Sequence, residues 1–468
     1  MQLTAVHVVF LVATIALALG IGIYSARSMR SAEGFSLAGR ASGSFIIAGG
    51  ISGAIIGGAA TIGTAQLGFS IGLSAWWFTL GSGISLVLMG TFYARPLRRS
   101  GLETIPQFLV AHYGKATGPM TSVIGSLGIL FSAVASALSG IRMISMILGC
   151  PPWQGALAII ALVMAYVMFG GLKGAGASGI VKMVVLWMTL MAAGIVAVSA
   201  LGDVPDFDTV FPAFPWFSLF GRGAFESMGN LFSLIVGVLC TQTYVQAIYS
   251  ASDSRTAVTG AFTAALIVVP VGLPSVAIGM FMHLNHPDIP PILALPMFLT
   301  GYLPEWLGGI GMAGLLLSVV GSIAGLVLGI GTMVARDIGA GVIGVSKGAT
   351  LLWINRGTVF VITAIAVAIA LGNLDSYVLD WNYLSMALRG GAVFIPLTLA
   401  VFRPSILSGR WAVFSMAVST AAAVAGRVVF DWPINPLYVG LGTSAVLVLL
   451  GVLVTGSKRS RAMAQGSE

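Results

Sequence analysis

GISGAIIGGAATIG (50–63) and GVLCTQTYVQ (237–246) each sit inside a long apolar run, and each reads as an interruption of it. The first stretch carries five glycines; the second carries one glycine, two threonines and two glutamines. Glycine weakens a helix interior because it has the most backbone freedom to lose. Irregular backbone at bilayer depth is tolerated only where it is buried in protein or lines a cavity. Isolated small residues are accounted for by close helix packing. Two interruptions at matching places in two halves of one chain point instead to discontinuous helices meeting at a midplane binding site.

The rest of the 468 residues requires a membrane around those breaks. The chain is 57% hydrophobic and 8% charged, against roughly a quarter charged in a soluble domain. A spanning helix needs about 20 apolar residues. Thirteen candidates fall at 5–25, 44–70, 73–94, 118–149, 153–170, 179–201, 228–249, 257–282, 309–334, 357–372, 377–401, 411–427 and 436–455. These runs are continuous rather than alternating, which excludes a transmembrane β-barrel. Cations recur in alternate gaps. One set of gaps holds Arg27, Arg30, Arg40, Arg95, Arg98, Arg99, Lys115, Lys173, Arg255, Arg336, Lys347, Arg356, Arg403, Arg410, Lys458, Arg459 and Arg461. The opposite set holds Arg222 and, at its edge, Arg427. The positive-inside rule makes the first set cytoplasmic, so the expectation is a multi-pass inner (plasma) membrane protein with its N-terminus outside and its C-terminus in the cytoplasm. The net charge of +8 follows from that bias; no basic soluble module points to nucleic acid. Cys150 and Cys240 are too few for a disulfide framework and lack metal spacing. His283, His286 and Asp288 resemble a metal site only loosely.

On this topology the second to sixth spans (44–201) begin inside and the seventh to eleventh (228–401) begin outside. The expected fold is all-α and polytopic, with a five-plus-five inverted-repeat core whose first and sixth core helices are broken. The division is 1–43, a peripheral helix and cytoplasmic loop; 44–202, the first repeat; 203–402, the second; and 403–468, two peripheral helices and a short tail.

FSLAGR (35–40), GGAATIGTAQLGFSIGLSAWW (57–77), FYARPLRRSGLETIPQFLVAHYG (92–114), FGGLKG (169–174) and the RDI at 336–338 occur here in an order that resembles the sodium/solute symporter family, the group of the sugar, proline, pantothenate and sialic acid symporters. The resemblance covers essentially the whole chain. It implies the same five-plus-five core, with one peripheral helix before it and two after. It also implies a sodium ion between the first and eighth core helices. Sodium, like other hard cations, takes oxygen ligands. Carried over by motif, the donors are the carbonyls of Gly53 and Ile56, the carbonyl of Ser318, position 321 and the hydroxyl of Ser322. The family usually has a hydroxyl where this chain has Gly321, so one ligand of about five is missing. A second sodium site of some members is not supported: Gly321, Ala324 and Gly325 lack side-chain oxygens, and Gly179 stands where those members carry an aspartate.

Three cations lie within spans, Arg142, Lys182 and Arg389, and no carboxylate is read well inside any span. Intramembrane charges are functional by default, and three cations without an acid suggest that negative charge arrives as substrate. The guanidinium of Arg142 can hold a carboxylate through two parallel hydrogen bonds or snorkel to the outer surface. Arg389 is near mid-span and bonds either substrate or carbonyls freed by a helix break. Lys182 lies about 6 Å from the inner end at 1.5 Å per residue, where snorkelling is the plainer reading. Its alternative is sharper: a lysine in an apolar site can give up its proton near neutral pH, and its ammonium can stand in for sodium, as in some proton-coupled transporters of similar architecture.

Thr61, Thr64, Gln66, Arg142, Thr241 and Gln242, near the two breaks, are the expected substrate-lining residues. No nucleophile elbow, phosphate loop or paired carboxylate appears, so no enzyme and no cofactor are expected. The functional expectation is a secondary transporter, a sodium-coupled symporter of a small organic solute, an anion such as a carboxylate or amino acid. The alternatives are a proton-coupled or sodium-independent transporter that uses Lys182, or a membrane solute sensor; the short tail after the last span speaks against an attached kinase. The partners expected are the solute, sodium or protons, and the lipid bilayer.

Overall fold

A computed structural model describes residues 3–26, 42–203, 207–430, 432 and 434–465, without side chains at 19, 21–26, 168–178, 181, 428 and 456–465. Arg27, Arg30, Arg40 and the stretch 35–40 lie outside the described residues, as do the side chains of 169–174, Lys458, Arg459 and Arg461.

The described chain consists of helices joined by turns and short loops, with one isolated bridge between Ser42 and Ala251. In chain order the main helices are α1 (Ala5–Ala26), α2 (Ser44–Ile55), α3 (Thr64–Ile71), α4 (Trp77–Leu88), α5 (Ala94–Arg99), α6 (Ile105–Tyr113), α7 (Thr117–Leu148), α8 (Pro152–Gly202), α9 (Ala224–Leu239), α10 (Gln242–Tyr249), α11 (Ser254–Asn285), α12 (Ala294–Gly301), α13 (Glu305–Met333), α14 (Gly348–Leu371), α15 (Val378–Phe402), α16 (Gly409–Val424) and α17 (Pro436–Gln465). By length and composition eight described helices suffice to cross a bilayer, or nine if the bent pair α9 and α10 is one span. Shorter apolar helices, at 5–18, 44–55 and 152–167, fall where further spans were expected.

Local chemistry sets the ends. Thr104 caps α6 by accepting from the Gln107 N–H at 3.2 Å. Gly149, at φ +60°, closes α7 in the left-handed conformation that glycine adopts without a Cβ penalty. Asp253 caps α11; the N–H of Thr256 and its neighbours hold this carboxyl down at about 2.

Both expected breaks are present. α2 stops at Ile56, whose ψ of 76° is not helical, and the chain resumes through a wide turn, Ala59–Gly63, before α3. α9 stops at Cys240, Thr241 is extended, and α10 departs at 41°. Helical bonding runs unbroken from Pro152 to Gly202, where two spans were expected. α8 is nevertheless not one straight rod. Ile159 and Val319 both pack on Gly140, and Lys182 reaches Ser318 and Gly321. A straight helix would hold Ile159 and Lys182 about 34 Å apart, so the element folds back between them and flanks α13 twice. α13 is the centre of the molecule, its apolar window 94% buried, while that of α17 is 28% buried and faces outward.

Candidate functional site

A helix leaves its last carbonyls without partners, and a break in mid-span exposes them where no water is guaranteed. At the end of α2 the freed carbonyls are Gly53, Ala54 and Ile56. Lys182 donates to Gly53 O at 2.5 Å and to Ser318 O at 3.4 Å. The Ser318 hydroxyl donates to Ile56 O, and the Ser322 hydroxyl to Ala54 O at 2.9 Å and Gly53 O at 3.3 Å. Lys182 is 3% exposed, so it does not snorkel. It turns inward onto two of the oxygens expected to hold sodium. A cation at a helix C-terminus is favoured by the dipole, and here the cation is a side chain.

Two glycines make that placement possible. A Cβ at position 321 would lie 2.7 Å from Lys182 Nζ, so the hydroxyl-bearing residue usual in the resembled family cannot coexist with this lysine rotamer. A Cβ at Gly179 would lie 2.9 Å from Gly49 O, so the missing aspartate is replaced by close approach of α8 to α2.

At the second break Arg389, fully buried, donates through Nε to Gly237 O at 3.3 Å and through Nη1 to Ser385 Oγ at 2.7 Å. Its bond is to a carbonyl near the break, the structural alternative of the two expected. Thr241 donates to the same Gly237 O at 2.6 Å. Thr61 and Thr64 likewise donate to nearby carbonyls within the first break, Gly57 and Ala59. These three hydroxyls satisfy backbone, as membrane threonines commonly do.

Two expected lining residues do something else. Gln66, on α3, donates to Ser376 O at 3.2 Å and accepts from Val378 N–H at 3.0 Å. Gln242, on α10, donates to Glu103 O at 3.1 Å and accepts from Ile105 N–H at 2.9 Å. Each carboxamide grips a carbonyl and the N–H two residues later, as a neighbouring strand would. The segments gripped lie at opposite ends of the bundle. The one before α15 is also held by Arg142, which donates to Leu374 O at 3.3 Å and pairs with Asp375 at 2.6 Å. Arg142 therefore takes the snorkelling course, and its fork is engaged by the protein's own carboxylate. The segment before α6 is also held by the Glu103–Arg336 pair at 2.9 Å, while Arg98, nearer to Glu103 in the chain, donates to Ala251 O.

The sequence reading missed Asp337, a carboxylate 7% exposed at the end of the α13 element, which accepts from Thr104 Oγ1 at 2.8 Å and Ser122 Oγ at 3.2 Å. Asp337 enters that reading only as part of the RDI at 336–338, where its neighbour Arg336 alone is counted, as a loop cation. It also missed Ser385, whose hydroxyl links Arg389 to α7. A cavity of about 310 Å³ lies beside α9 and α15, lined by Glu226, Asn230, Asp380, Tyr383, Arg427 and Trp432.

A family model described as "Sodium:solute symporter family" matches residues 35–408. The high affinity choline transporter of Rattus norvegicus is 27% identical over 376 residues, covering 74% of this chain and 63% of that protein. The chain thus spans less than two thirds of the length of such relatives. A sodium/glucose cotransporter of Vibrio parahaemolyticus is 23% identical over 401 residues, covering 76% and 72%. Among solved structures, a Na+-coupled sialic acid symporter in a substrate-bound outward-open state superposes with a TM-score of 0.80 at 17% identity, over 97% of this chain and 98% of that one. A nucleobase-cation-symport family transporter with bound bromovinylhydantoin gives 0.61 at 12% identity, over 91% and 95%. The two structural likenesses show that the chain shares the fold of those transporters.

Proposed function

We propose, for a chain that belongs to the sodium:solute symporter family, a secondary active transporter that moves a small organic solute by alternating access and whose first helix break is served by the Lys182 ammonium rather than by sodium. The observation that carries this is the 2.5 Å bond from Lys182 to Gly53 O. That carbonyl is a sodium donor by resemblance, and a buried ammonium beside it repels a second cation. Family membership favours sodium as the coupling ion. The local chemistry favours a proton carried on Lys182.

The solute is small and organic. The relatives named above carry choline and glucose, and this chain's solute is not read from theirs. The anion reading keeps one support: a solute carboxylate would reach Arg142 by displacing Asp375, which is 97% exposed. A counterflow screen of carboxylates, amino acids, sugars and quaternary amines in proteoliposomes identifies the solute. Uptake is then measured with sodium and pH gradients imposed separately. Uptake driven by the proton gradient without sodium, and uncoupled by Lys182→Ala with exchange retained, supports the reading. Sodium-driven uptake indifferent to Lys182 overturns it.

A further inference from the structure

We infer that Arg389 is the second repeat's counterpart of Lys182: a permanent positive charge that tethers the broken α9–α10 helix to the opposite repeat and positions it during transport.

Four relations pair the two residues once 44–202 and 203–402 are taken as the repeats. Each cation sits on the last long helix of its repeat, Lys182 on α8 and Arg389 on α15. Each donates to the carbonyl three residues before the C-cap of that repeat's interrupted helix: Gly53 before Ile56, Gly237 before Cys240. Each also binds the other repeat's long central helix. Lys182 reaches Ser318 O on α13; Arg389 reaches α7 through Ser385, whose hydroxyl meets Gly128 O at 2.5 Å and Ser132 Oγ at 2.7 Å. Finally, that central helix carries a glycine where the cation lies. A Cβ at Gly321 would stand 2.7 Å from Lys182 Nζ, and one at Gly128 2.8 Å from Arg389 Cβ. A shared plan, rather than two unrelated buried charges, accounts for all four.

The chemistry differs in one respect. A guanidinium stays protonated in proteins, whereas an ammonium in an apolar site can release its proton. The titratable groups facing Arg389 are Tyr244 of α10 and Cys240 at the break. No salt bridge reaches either cation among the described residues. The charge that holds the second break is therefore constant across the physiological pH range. The tether at Arg389 stands on its own contacts; the contrast with Lys182 rests on the coupling reading above.

Cys240, at the second break and buried, is a built-in reporter. In full-length Cys150→Ser protein in liposomes, its labelling by N-ethylmaleimide is followed from about pH 6 to about pH 9 and normalised to the same protein unfolded at each pH. With Arg389 in place, normalised labelling is expected to stay slow and flat. Arg389→Lys should keep Cys240 protected at the acid end and raise labelling roughly tenfold or more at the alkaline end. Arg389→Met should leave it fast throughout. Protection unchanged in Arg389→Met, or a flat profile in Arg389→Lys, overturns the inference. If Arg389→Met does not fold, Arg389→Lys, checked by size exclusion, decides. A separate protein with Cys150→Ser, Cys240→Ser and Ala54→Cys reports the first break. Labelling there that does not change with pH refutes the Lys182 reading and leaves the Arg389 arms intact.

Discussion

Lys182 and Gly321 are one choice made at two positions. The ammonium fills the space that a side chain at 321 would need, so any residue larger than glycine there requires Lys182 to leave its present rotamer. Gly321→Ser alone should displace Lys182 and impair uptake. Gly321→Ser combined with Lys182→Ala supplies the missing oxygen and removes the competing charge. That double variant is expected to gain sodium-stimulated uptake or sodium-dependent thermal stabilisation, where Lys182→Ala alone gains none; a double variant indifferent to sodium would sink the substitution idea. Arg142 is a contrasting residue. Its partner Asp375 is almost wholly exposed, and such pairs contribute about 1 kcal/mol or less. Arg142→Gln should therefore fold with a thermal midpoint close to that of the parent. If the solute is an anion, the same variant should weaken its apparent affinity, since a hydrogen bond to a charge contributes about 1.5–3 kcal/mol.

At the scale of elements, the half-helices α3 and α10 each end the break they follow by reaching across to a connecting segment. Gln66 grips 376–378 and Gln242 grips 103–105, so each half-helix is latched to a connecting segment at its own end of the bundle. Each glutamine makes two bonds of about 0.5–1.5 kcal/mol, and losing both would shift a closed-to-open equilibrium by roughly 5- to 150-fold. Gln66→Ala should favour opening at the end near Asp375, and Gln242→Ala opening at the end near Arg336. Thiol accessibility of single cysteines at Ser376 and at Glu103, probed from each side of sealed vesicles, reads the two directions separately. Opening at the same end in both variants would contradict the latch assignment.

For the whole molecule the charge pattern predicts an orientation that the helices by themselves do not. Reporter tags after Arg99 and at the C-terminus should lie in the cytoplasm, and one inserted at His286–Asp288 should lie outside. A periplasmic signal from the C-terminal tag would overturn the orientation. Because α13 is enclosed on nearly all sides and α17 is not, substitutions of large core residues of α13 should lower stability far more than equivalent changes on α17. Replacing a buried Leu by Ala costs about 2–5 kcal/mol, so Leu315→Ala should cost that much in thermal unfolding and Leu453→Ala little.

The sequence by itself determined the membrane class, the all-helical fold, the two breaks and the family, because each is written in local quantities: apolar run length, the spacing of cations, and clusters of glycine within a span. It also singled out the residues around the breaks. What it left undecided was the partner of each. Lys182 could face lipid headgroups or a carbonyl, Arg142 a solute or Asp375, and Gln66 and Gln242 a cavity or a loop. Glu103 found Arg336 rather than its near neighbours in the chain. Those choices are made by contacts between residues 129 to 312 positions apart, and a side chain several bonds long can satisfy more than one of them. Only tertiary packing, which brought α8 against α2 and α15 against α9 through glycines too small to hold them apart, decided which donor met which freed carbonyl.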